Sequence, residues 1–417
     1  MCPVFDQEGT EVAVARGKVQ LFRGLARGEL SPSKEMNRLA SNCLLCRACT
    51  ENCPSGIPVD RIVLGMRARL AADQPIPLSK RFLLRKVLPR RRLGFAVRTL
   101  QQAWRSTGLD NLAALAWPRA GALSKVPVAA PAAFRDSLWS PDRRGLFQEE
   151  KGALVLRPPR SRHRVAYFFG CANNHFFPGH GWDLLLVLAQ AGVEVVIPPQ
   201  TCCGLPHLAG GDTATARKLV EQNHHAFTHL NVEAVVADCA SCSSALKEQS
   251  GLFPVPVEDA IRFLVSVGAP AAAEYHLASG AHRRSASGAG QPARQVVTYH
   301  DPCHASRYQG IREEPRKLLA QVPGLELKEM VRPDRCCGGS GVYGLEHPEI
   351  SQCIGQSKME DILATGARVV ATTCPSCQMQ LLHLLKQYDR IRVAHPVSLL
   401  AESYRQYGLS LESICGG

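Results

Sequence analysis

The chain has 417 residues, which is enough for two to four domains of ordinary size. Hydrophobic residues make up 45% of it and charged residues 20%, as in a soluble globular protein, and no apolar run reaches the roughly 18 residues that span a bilayer. The net charge of +13 is concentrated locally, because residues 80–105 contain nine Lys and Arg side chains and no acidic one.

The N-terminal segment, MCPVFDQEGTEVAV, lacks the positive and apolar regions of a secretory signal. The sequence therefore predicts a cytoplasmic location, with a peripheral position at the inner face of the membrane as the alternative. In a reducing compartment, seventeen cysteines indicate metal ligation rather than disulfides. Vicinal pairs and C-x2-C pairs also make poor structural bridges but good converging ligands.

The first cysteine motif, CLLCRACTENCP, occupies residues 43–54. This C-x2-C-x2-C-x3-C-P run is typical of bacterial ferredoxins, in which three cysteines bind one 4Fe-4S cluster and the fourth binds a second cluster. Cys2-Pro3 resembles the end of another such run. The sequence therefore predicts a 4Fe-4S cluster held by four thiolates, those of Cys2, Cys43, Cys46 and Cys49.

Cys53, the last cysteine of this run, lacks three partner cysteines in the sequence. We hypothesise that Met1 lies inside a longer gene, whose upstream part encodes the missing C-x2-C-x2-C-x3 segment and completes a second 4Fe-4S cluster with Cys53. An upstream reading frame without that segment would refute the hypothesis. The alternatives are that Cys53 is a free thiol or that it replaces Cys2 as the fourth ligand.

Helices are expected on both sides of the motif, at 16–28 and 59–71, and we interpret residues 1–72 as one α-helical ferredoxin-type module. Residues 73–160 contain no cysteine and are rich in Pro, Arg and Ala, which favours a basic helical connector followed by an irregular linker. An acidic partner subunit or an anionic membrane surface suits its basic part. Nucleic acid is not expected, because no nucleic-acid-binding module accompanies the charge.

Beyond residue 160, short apolar runs alternate with helical patterns, which predicts α/β domains with parallel sheets. The whole pattern recurs, and corresponding cysteines lie 132, 134 and 135 residues apart. An Ala/Gly/Ser-rich stretch separates the two occurrences and is interpreted as a flexible linker. We therefore assign two copies of one domain and the linker between them: 161–270, 295–417 and 271–294.

Each copy carries a five-cysteine motif, C-x30-CCG-x34-C-x2-C in the first and C-x32-CCG-x35-C-x2-C in the second. These cysteines follow predicted strands, whose carboxyl ends meet at the ligand-binding edge of an open α/β sheet. Five thiolates exceed the four of a closed zinc site and favour an iron-sulfur cluster, with zinc as the alternative. The predicted metal ligands are Cys171, Cys202, Cys203, Cys239, Cys242, Cys303, Cys336, Cys337, Cys374 and Cys377.

Two glycines belong to the five-cysteine motifs, and one further cysteine lies outside them. Gly204 and Gly338 follow the vicinal cysteines and are interpreted as allowing the backbone to approach the metal without a Cβ clash. Cys353 falls outside the motifs, inside a helix predicted at 348–365, and is expected to be a buried thiol.

Other polar residues lie beside the motifs. His207, His304 and His347 are expected to pack or to hydrogen-bond to the sites, with proton handling at a substrate site as the alternative. Arg47 lies inside the first motif. Its charge either raises the reduction potential of the cluster or faces solvent.

The two copies resemble the cysteine-rich CCG domain of heterodisulfide reductase subunits and of the iron-sulfur subunits of glycolate oxidase, lactate-utilisation proteins and anaerobic glycerol-3-phosphate dehydrogenase. With the ferredoxin-type module in front, the whole chain is similar to the glycolate oxidase iron-sulfur subunit family. The segments CPSG at 53–56 and CCGGSGVY at 336–343 agree with that family. The departures are the missing first ferredoxin run and a second copy that keeps all five cysteines.

The resemblance implies an electron-transfer subunit that receives electrons from an FAD-containing subunit oxidising glycolate or lactate and passes them toward quinone or another membrane acceptor. The complete second copy leaves a second function open, a heterodisulfide-reductase-like subunit in which a noncubane CCG cluster splits disulfides. The chain shows no P-loop, Rossmann fingerprint or Ser-His-Asp signature, so no catalytic residue is assigned to it.

Overall fold

The computed structural model describes residues 2–73, 130, 132–271 and 294–415, and its N-terminal part is a small helical module. Within that part the helices predicted at 16–28 and 59–71 are confirmed, and their apolar faces meet in a core that contains Leu25, Met66 and Leu70. A 3-10 turn precedes the first long helix. The helical segments are Phe5–Glu8, Glu11–Ala13, Ala15–Ala26, Lys34–Ser41, Ala48–Glu51 and Val59–Asp73.

The first α/β unit is built on a six-stranded sheet with the order β1-β2-β4-β3-β5-β6. Its strands are β1 (Phe147–Glu150), β2 (Ala153–Leu156), β3 (His163–Phe168), β4 (Val193–Ile197), β5 (Ala234–Ala237) and β6 (Val257–Asp259). β4 and β5 are buried along their whole length, as expected for strands in a sheet that helices cover on both faces. The helical segments are Phe134–Ser137, Pro141–Leu146, Gly170–Phe176, Pro178–Gln190, Leu205–Ala209, Thr213–Thr228, Ala240–Lys247, Ser250–Leu252 and Ala260–Ser266.

The prediction of parallel sheets is wrong at the outer edge of this unit, which is an antiparallel hairpin. β1 pairs antiparallel with β2, and β2 pairs antiparallel with β4, whereas the other pairs are parallel. Residues 147–156, assigned above to the linker, therefore belong to the sheet. Lys151 and Gly152 form the turn with φ of 50° and 78°, and a two-residue turn with both φ values positive matches the twist of a hairpin.

The second α/β unit has a four-stranded sheet in which every pair is parallel, in the order β10-β9-β7-β8. Its strands are β7 (Gln295–Tyr299), β8 (Leu325–Leu327), β9 (Val369–Ala371) and β10 (Arg392–Ala394). This order corresponds strand by strand to β6-β5-β3-β4 of the first unit, as a duplication requires. The helices are Cys303–Gln309, Glu313–Ala320, Tyr343–Glu346, Pro348–Leu363, Pro375–Leu384, Pro396–Gln406 and Leu411–Cys415.

The two units share one hydrophobic core. Helix Pro178–Gln190 packs against Pro396–Gln406, and Ala260–Ser266 packs against Glu313–Ala320. In the duplication, Pro178–Gln190 corresponds to Glu313–Ala320, and Ala260–Ser266 corresponds to Pro396–Gln406. The second contact is therefore the first with the two units exchanged, and the arrangement has approximate twofold symmetry. Buried side chains of both sheets belong to the same cluster. Because such a core is close-packed, the cysteines at the strand ends of the two units have a fixed relation to each other.

Two histidines meet at the seam between the units, which makes the seam sensitive to acid. The rings of His180 and His395 lie 5.1 Å apart. Burial lowers the pKa of His395 to about 4, and burial together with the charge of His395 lowers the pKa of His180 well below its usual value. The unfolded chain therefore binds more protons between pH 6.5 and 4, so stability is present above pH 6.5 and is lost as the pH falls through this window.

Replacement of His395 by Asn should flatten this dependence, since Asn keeps a helix-capping acceptor but does not titrate. We expect the wild type to lose on the order of 3 kcal/mol more unfolding free energy than H395N between pH 7 and pH 4, as measured by urea denaturation. The exposed His225 provides the control. Parallel pH profiles for the wild type and H395N, or an equal change in H225N, would contradict this expectation.

The basic stretch 80–105 and residues 272–293 lie outside the described residues, so the helical connector and the flexible linker stay predictions there. Within the described ranges, no helix is both long and apolar enough to cross a bilayer. Cys353 lies on helix Pro348–Leu363 as predicted, but its thiol is exposed, so the expectation of burial is wrong. Helix position alone did not reveal which face of that helix packs inward.

Candidate metal centres

Four of the predicted ligands surround a single cavity in the N-terminal module. Cys2, Cys43, Cys46 and Cys49 all line it, and its volume is about 30 Å³. Cys53 is not among the described residues that line this cavity. The geometry thus groups Cys2, rather than Cys53, with the first three cysteines of the run. Convergence of four thiols on one cavity fits a 4Fe-4S cluster, in which each thiolate binds one iron.

Two cations lie beside this cavity, the buried Lys18 and the half-buried Arg67. Among the described residues, neither has a carboxylate in hydrogen-bond contact. Lys18 donates from Nζ to the carbonyl oxygens of Ala13 at 2.8 Å and Val12 at 3.2 Å. The same Ala13 oxygen lies 3.7 Å from the Cys2 Sγ. Burial lowers the pKa of Lys18, while the nearby thiols of Cys43 and Cys2 and the carboxyl of Glu8 act to raise it. An anionic centre in the cavity would favour the charged ammonium.

Arg67 is the second of these cations. Its guanidinium donates to the carbonyl oxygens of Cys43 at 2.7 Å, Ser41 at 3.0 Å and Ala40 at 3.0 Å. A fourth bond, of 2.8 Å, reaches Ala209 of the first α/β unit. Buried charges normally require compensation. An anionic iron-sulfur cluster would supply it for both cations, so the residues present fit the cofactor that the cysteine spacing predicts.

Replacement of Lys18 by Met should lower the reduction potential of this cluster. Met is similar in length and fills the same space without charge, so the reduced, more anionic state loses a favourable interaction. We expect a decrease of several tens of millivolts, since ~59 mV corresponds to ~1.4 kcal/mol for one electron. Redox titration followed by electron paramagnetic resonance (EPR) measures the shift.

The exposed Lys218, on helix Thr213–Thr228, gives the matched control. K218M removes the same charge without removing a buried cation, and should leave the potential unchanged. An unchanged potential in K18M would mean that the Lys18 ammonium does not act on the cluster. Equal shifts in the two variants would instead reflect net charge alone.

In the first α/β unit the five predicted ligands form one continuous set of contacts at the carboxyl ends of the strands. Cys171 Sγ lies 3.5 Å from Cys202 Sγ. The thiol of Cys203 interacts with Cys202 and Cys242, and Cys242 interacts with Cys239. Thiol hydrogen bonding lowers the pKa of Cys203 to about 6. The pKa of Cys242 is raised by hydrogen bonds with its thiol partners and by burial. The set can release only part of its protons without a metal ion.

In the second unit four thiols form the corresponding set, with contacts from Cys336 to Cys337, from Cys337 to Cys377 and from Cys377 to Cys374. The pKa of the fifth thiol, Cys303, is raised by burial and then by the charges of Cys46 and Cys374. Hydrogen bonds from Cys336 and Cys377 lower the pKa of Cys337. Nine of the ten predicted ligands of the two copies therefore join one of two sets of thiol contacts, and Cys303 packs against the apolar cluster that contains Cys336.

A histidine that the motifs did not single out joins the second cluster. A ring nitrogen of His300 and the Sγ atoms of Cys337 and Cys377 all lie within 4.8 Å of one another, and all three residues are buried. The corresponding residue of the first copy is Phe168, because VAYFFGC aligns with VVTYHDPC at the tyrosine and the cysteine. Comparison of the two copies residue by residue was the sequence signal for this histidine.

The glycines after the vicinal cysteines allow close helix packing. Gly204 and Gly338 have φ of 86° and 81°, in the left-handed region that favours glycine. A Cβ at Gly338 would lie 2.6 Å from the carbonyl oxygen of Ser351, and one at Gly204 would lie 3.0 Å from that of Ala216. Each glycine thus lets the long helix that follows the motif approach the cysteine loop, a role additional to the predicted approach to the metal, which stays a prediction.

The N-terminal cavity lies against the second unit. Ser340 Oγ donates to the carbonyl of Leu44 at 2.8 Å, and Tyr308 OH donates to that of Leu45 at 2.9 Å. Cys46 of the module shares one apolar cluster with Cys336 and Cys303. The backbone at the junction is strained, because Leu45 has φ of 53° and Ser340 has φ of 33°. Contacts across the junction hold these conformations in place.

The two five-cysteine clusters are also adjacent. Ser241, between Cys239 and Cys242, places its Oγ 3.3 Å from Cys374 Sγ of the other copy. Its backbone neighbour Ala240 donates to the carbonyl of Thr373 at 3.1 Å. The three sites therefore follow one another in space: the N-terminal cavity, then the second copy, then the first copy. This order differs from their order in the chain.

The side chains beside the motifs take structural positions. His304 Nδ1 lies 3.2 Å from Ser241 Oγ, and burial lowers the pKa of His304 to about 4. His347 Nε2 lies 2.8 Å from Ser41 Oγ and so connects the second unit to the module. His207 is fully buried. Arg47 lies over the Tyr308 ring, 4.5 Å from its centroid, and 3.6 Å from the carboxylate of Asp60. It is thus a junction residue rather than a solvent-facing one.

These features define the class of the molecule, an iron-sulfur protein in which a ferredoxin-type module and two cysteine-rich units form one body. Comparison with known families agrees. A model described as "4Fe-4S dicluster domain" matches residues 1–57, and one described as "Cysteine-rich domain" matches residues 165–247 and 297–382.

Relatives of known name extend this match. The "Probable glycolate oxidase iron-sulfur subunit" of Bacillus subtilis is 29% identical over 96% of this chain and 91% of its own length. Lactate utilization protein A 1 of Bacillus mycoides is 32% identical over 59% of this chain and its entire length. A fumarate reductase (CoM/CoB) subunit from Methanothermobacter marburgensis is 34% identical over 58% of this chain and 46% of that protein. The chain belongs to the family of cysteine-rich iron-sulfur proteins that includes lactate utilization protein A, and over nearly its whole length it is similar to the glycolate oxidase iron-sulfur subunit.

Proposed function

We propose that this chain is the electron-transfer subunit of a complex that oxidises a 2-hydroxy acid, glycolate or lactate. In this proposal an FAD-containing subunit removes a hydride from the acid, the chain accepts the electrons one at a time, and quinone or another membrane acceptor receives them. The cofactors are one 4Fe-4S cluster held by Cys2, Cys43, Cys46 and Cys49 and one iron-sulfur cluster in each cysteine-rich unit. The relatives named for glycolate oxidase and lactate utilization support the choice of substrate.

The single observation that carries the proposal is the contiguity of the three cysteine sites. Cys46 of the module shares an apolar cluster with Cys303 and Cys336, and Ser241 of the first unit contacts Cys374. Electron transfer needs carriers that are close together, fixed in position and shielded from water. The contribution expected from the protein is therefore position and potential, while the redox chemistry belongs to the clusters.

Purification of the tagged full-length chain from its native host tests the proposal. A flavoprotein should co-purify, and glycolate or lactate should reduce the iron-sulfur centres, seen as bleaching of their visible absorbance. C46S should interrupt reduction beyond the module, because Cys46 lies between the first two sites. C353S is the control, since Cys353 is exposed and outside the motifs.

Two results would overturn this function. The first is that dithionite, but neither hydroxy acid, reduces the centres of the complex. The second is stoichiometric zinc without iron, which favours a zinc-bearing structural module.

A second function, disulfide reduction, is favoured by one observation. The second unit retains all five cysteines, and its cluster lies in contact with that of the first unit. On this alternative a noncubane cluster in a cysteine-rich unit supplies electrons that break a disulfide into two thiols. Reduction of a thiol heterodisulfide by the isolated chain, with dithionite-reduced viologen as donor, would support it. If the isolated chain does not reduce the heterodisulfide, and the hydroxy acid does bleach the centres of the complex, the electron-transfer function is supported instead.

A further inference from the structure

The two metal centres differ at the end of the strand before the first cysteine. The second unit has His300 there, where the first unit has Phe168. Phe168 is buried and belongs to the apolar cluster that contains the four cysteines Cys202, Cys203, Cys239 and Cys242. In the second unit an imidazole occupies the same position, beside Cys337 and Cys377. A buried polar ring in place of a phenyl ring has a cost unless its nitrogens are satisfied.

The backbone fixes where this ring lies. The His300 N–H donates to the carbonyl of Ala371 at 2.9 Å, which continues the pairing of β7 with β9 beyond Tyr299. The side chain is therefore held at the carboxyl end of the strand, where the cysteines gather. It is 1% exposed, so it has no access to bulk water.

In His300, the hydrogen bond made by one ring nitrogen determines whether the other ring nitrogen carries a proton. His300 Nδ1 lies 3.3 Å from the carbonyl oxygen of Pro333, which can only accept a hydrogen bond, so Nδ1 carries the proton. Nε2 then has a free lone pair, and this buried atom has no partner within hydrogen-bond distance in the described part of the chain, although the ring interacts with Cys337 and lowers the pKa of that thiol. Metal-bound histidines commonly show this arrangement, in which the nitrogen that does not bind the metal donates to a carbonyl.

The spacing suits a shared metal ion. A metal ion is bound at about 2.0 Å by imidazole nitrogen and at about 2.3 Å by thiolate sulfur, so on one ion a nitrogen and a sulfur lie at most about 4.3 Å apart and two sulfurs at most about 4.6 Å apart. The mutual separations of the His300 nitrogen, Cys337 Sγ and Cys377 Sγ are all within 4.8 Å. Small adjustments of these side chains bring them onto one ion.

We propose that His300 is a nitrogen ligand of the metal centre in the second cysteine-rich unit, so that this centre has mixed thiolate and imidazole ligation whereas the first has thiolates alone. The inference requires a metal ion in the second unit but not the electron-transfer role. It accounts for the unpartnered Nε2 and for the difference between Phe168 and His300. Where the imidazole takes the place of one thiolate, the cluster is less anionic and has a higher reduction potential than an all-thiolate cluster of the same type.

Isotope labelling of the wild-type protein tests the ligand directly. The full-length protein is prepared with natural histidine and with 15N-histidine, and electron spin echo envelope modulation is recorded on its paramagnetic centres. We expect coupling to a directly bound imidazole nitrogen, which changes with the isotope. Where metal analysis finds zinc in the second unit, zinc-edge X-ray absorption should show one nitrogen among three sulfur neighbours.

Two variants assign that signal. H300F introduces the residue that the first copy carries at this position and should abolish the histidine coupling. H180F removes a half-buried histidine at the seam between the units and should retain the coupling. Absence of any bound-histidine coupling in the labelled wild type, coupling that survives in H300F, or four sulfur neighbours around zinc would each overturn the inference. The wild-type measurement holds even where H300F fails to fold.

Discussion

Replacement of Cys2 by Ser should remove the 4Fe-4S cluster of the N-terminal module, whereas the same change at Cys53 should leave it in place. Cys2 lines the cavity together with Cys43, Cys46 and Cys49, and Cys53 does not. Loss of one of four thiolate ligands removes the sulfur bond to one iron, which makes that iron labile and favours loss of one iron or of the whole cluster. The expected result for C2S is loss of the reduced 4Fe-4S signal in EPR and a decrease in iron of up to four atoms per chain.

C53S is the matched comparison, because both residues precede a proline and both are half-buried. It should keep the signal and the iron content of the N-terminal centre. Two outcomes would contradict the ligand set. One is a normal signal in C2S, and the other is loss of the same signal in C53S, which would mean that Cys53 takes the fourth position.

Replacement of Gly338 by Ala should disrupt the second metal centre through the backbone. The residue has φ of 81°, and a Cβ would lie 2.6 Å from the carbonyl oxygen of Ser351 on helix Pro348–Leu363. Left-handed backbone costs a non-glycine residue about 1–2 kcal/mol, and the clash with backbone adds to this. We expect a total loss of about 3 kcal/mol or more of unfolding free energy, together with loss of metal from the second unit, because Cys336 and Cys337 must shift.

Gly366 separates the two causes. It has nearly the same φ, 68°, but a Cβ there would meet nothing within 4 Å. G366A should therefore lose only the conformational part, about 1–2 kcal/mol, and should keep its metal. Urea denaturation and metal analysis of both variants measure the difference. Equal destabilisation of the two would mean that φ alone matters at Gly338 and that the helix can retreat.

Much of the fold follows from local sequence patterns. The helices at 16–28 and 59–71 and the alternation of strands and helices beyond residue 160 were predicted, since periodicity is a local property. The hairpin of β1 and β2 was missed, although Lys151-Gly152 ahead of an apolar run is a recognisable turn. The surrounding Pro- and Arg-rich composition favoured a linker at that point.

Cysteine spacing by itself determined the class of protein. It predicted the ferredoxin-type module, the duplication and the cysteines that gather into three groups, but not His300, because ligand spacing along the chain reflects the size of the group to be bound. What it left open was which cysteines share a cavity. Cys2 and Cys43 are 41 positions apart, and their convergence depends on the turn at 11–14 and on the packing of helix Ala15–Ala26.

Only the tertiary structure decided the order of the sites in space and the difference between the two copies. The N-terminal cavity lies against the second unit, through Ser340 and Tyr308, although the module also bonds to Ala209 of the neighbouring first unit. Such contacts between distant residues leave no periodic trace in a single sequence. The cations Lys18 and Arg67 likewise acquire a meaning only beside the cavity. The spacing of cysteines along the chain determines how many thiols each site has. Tertiary packing determines which other side chain lies beside those thiols, and at the second site it is His300.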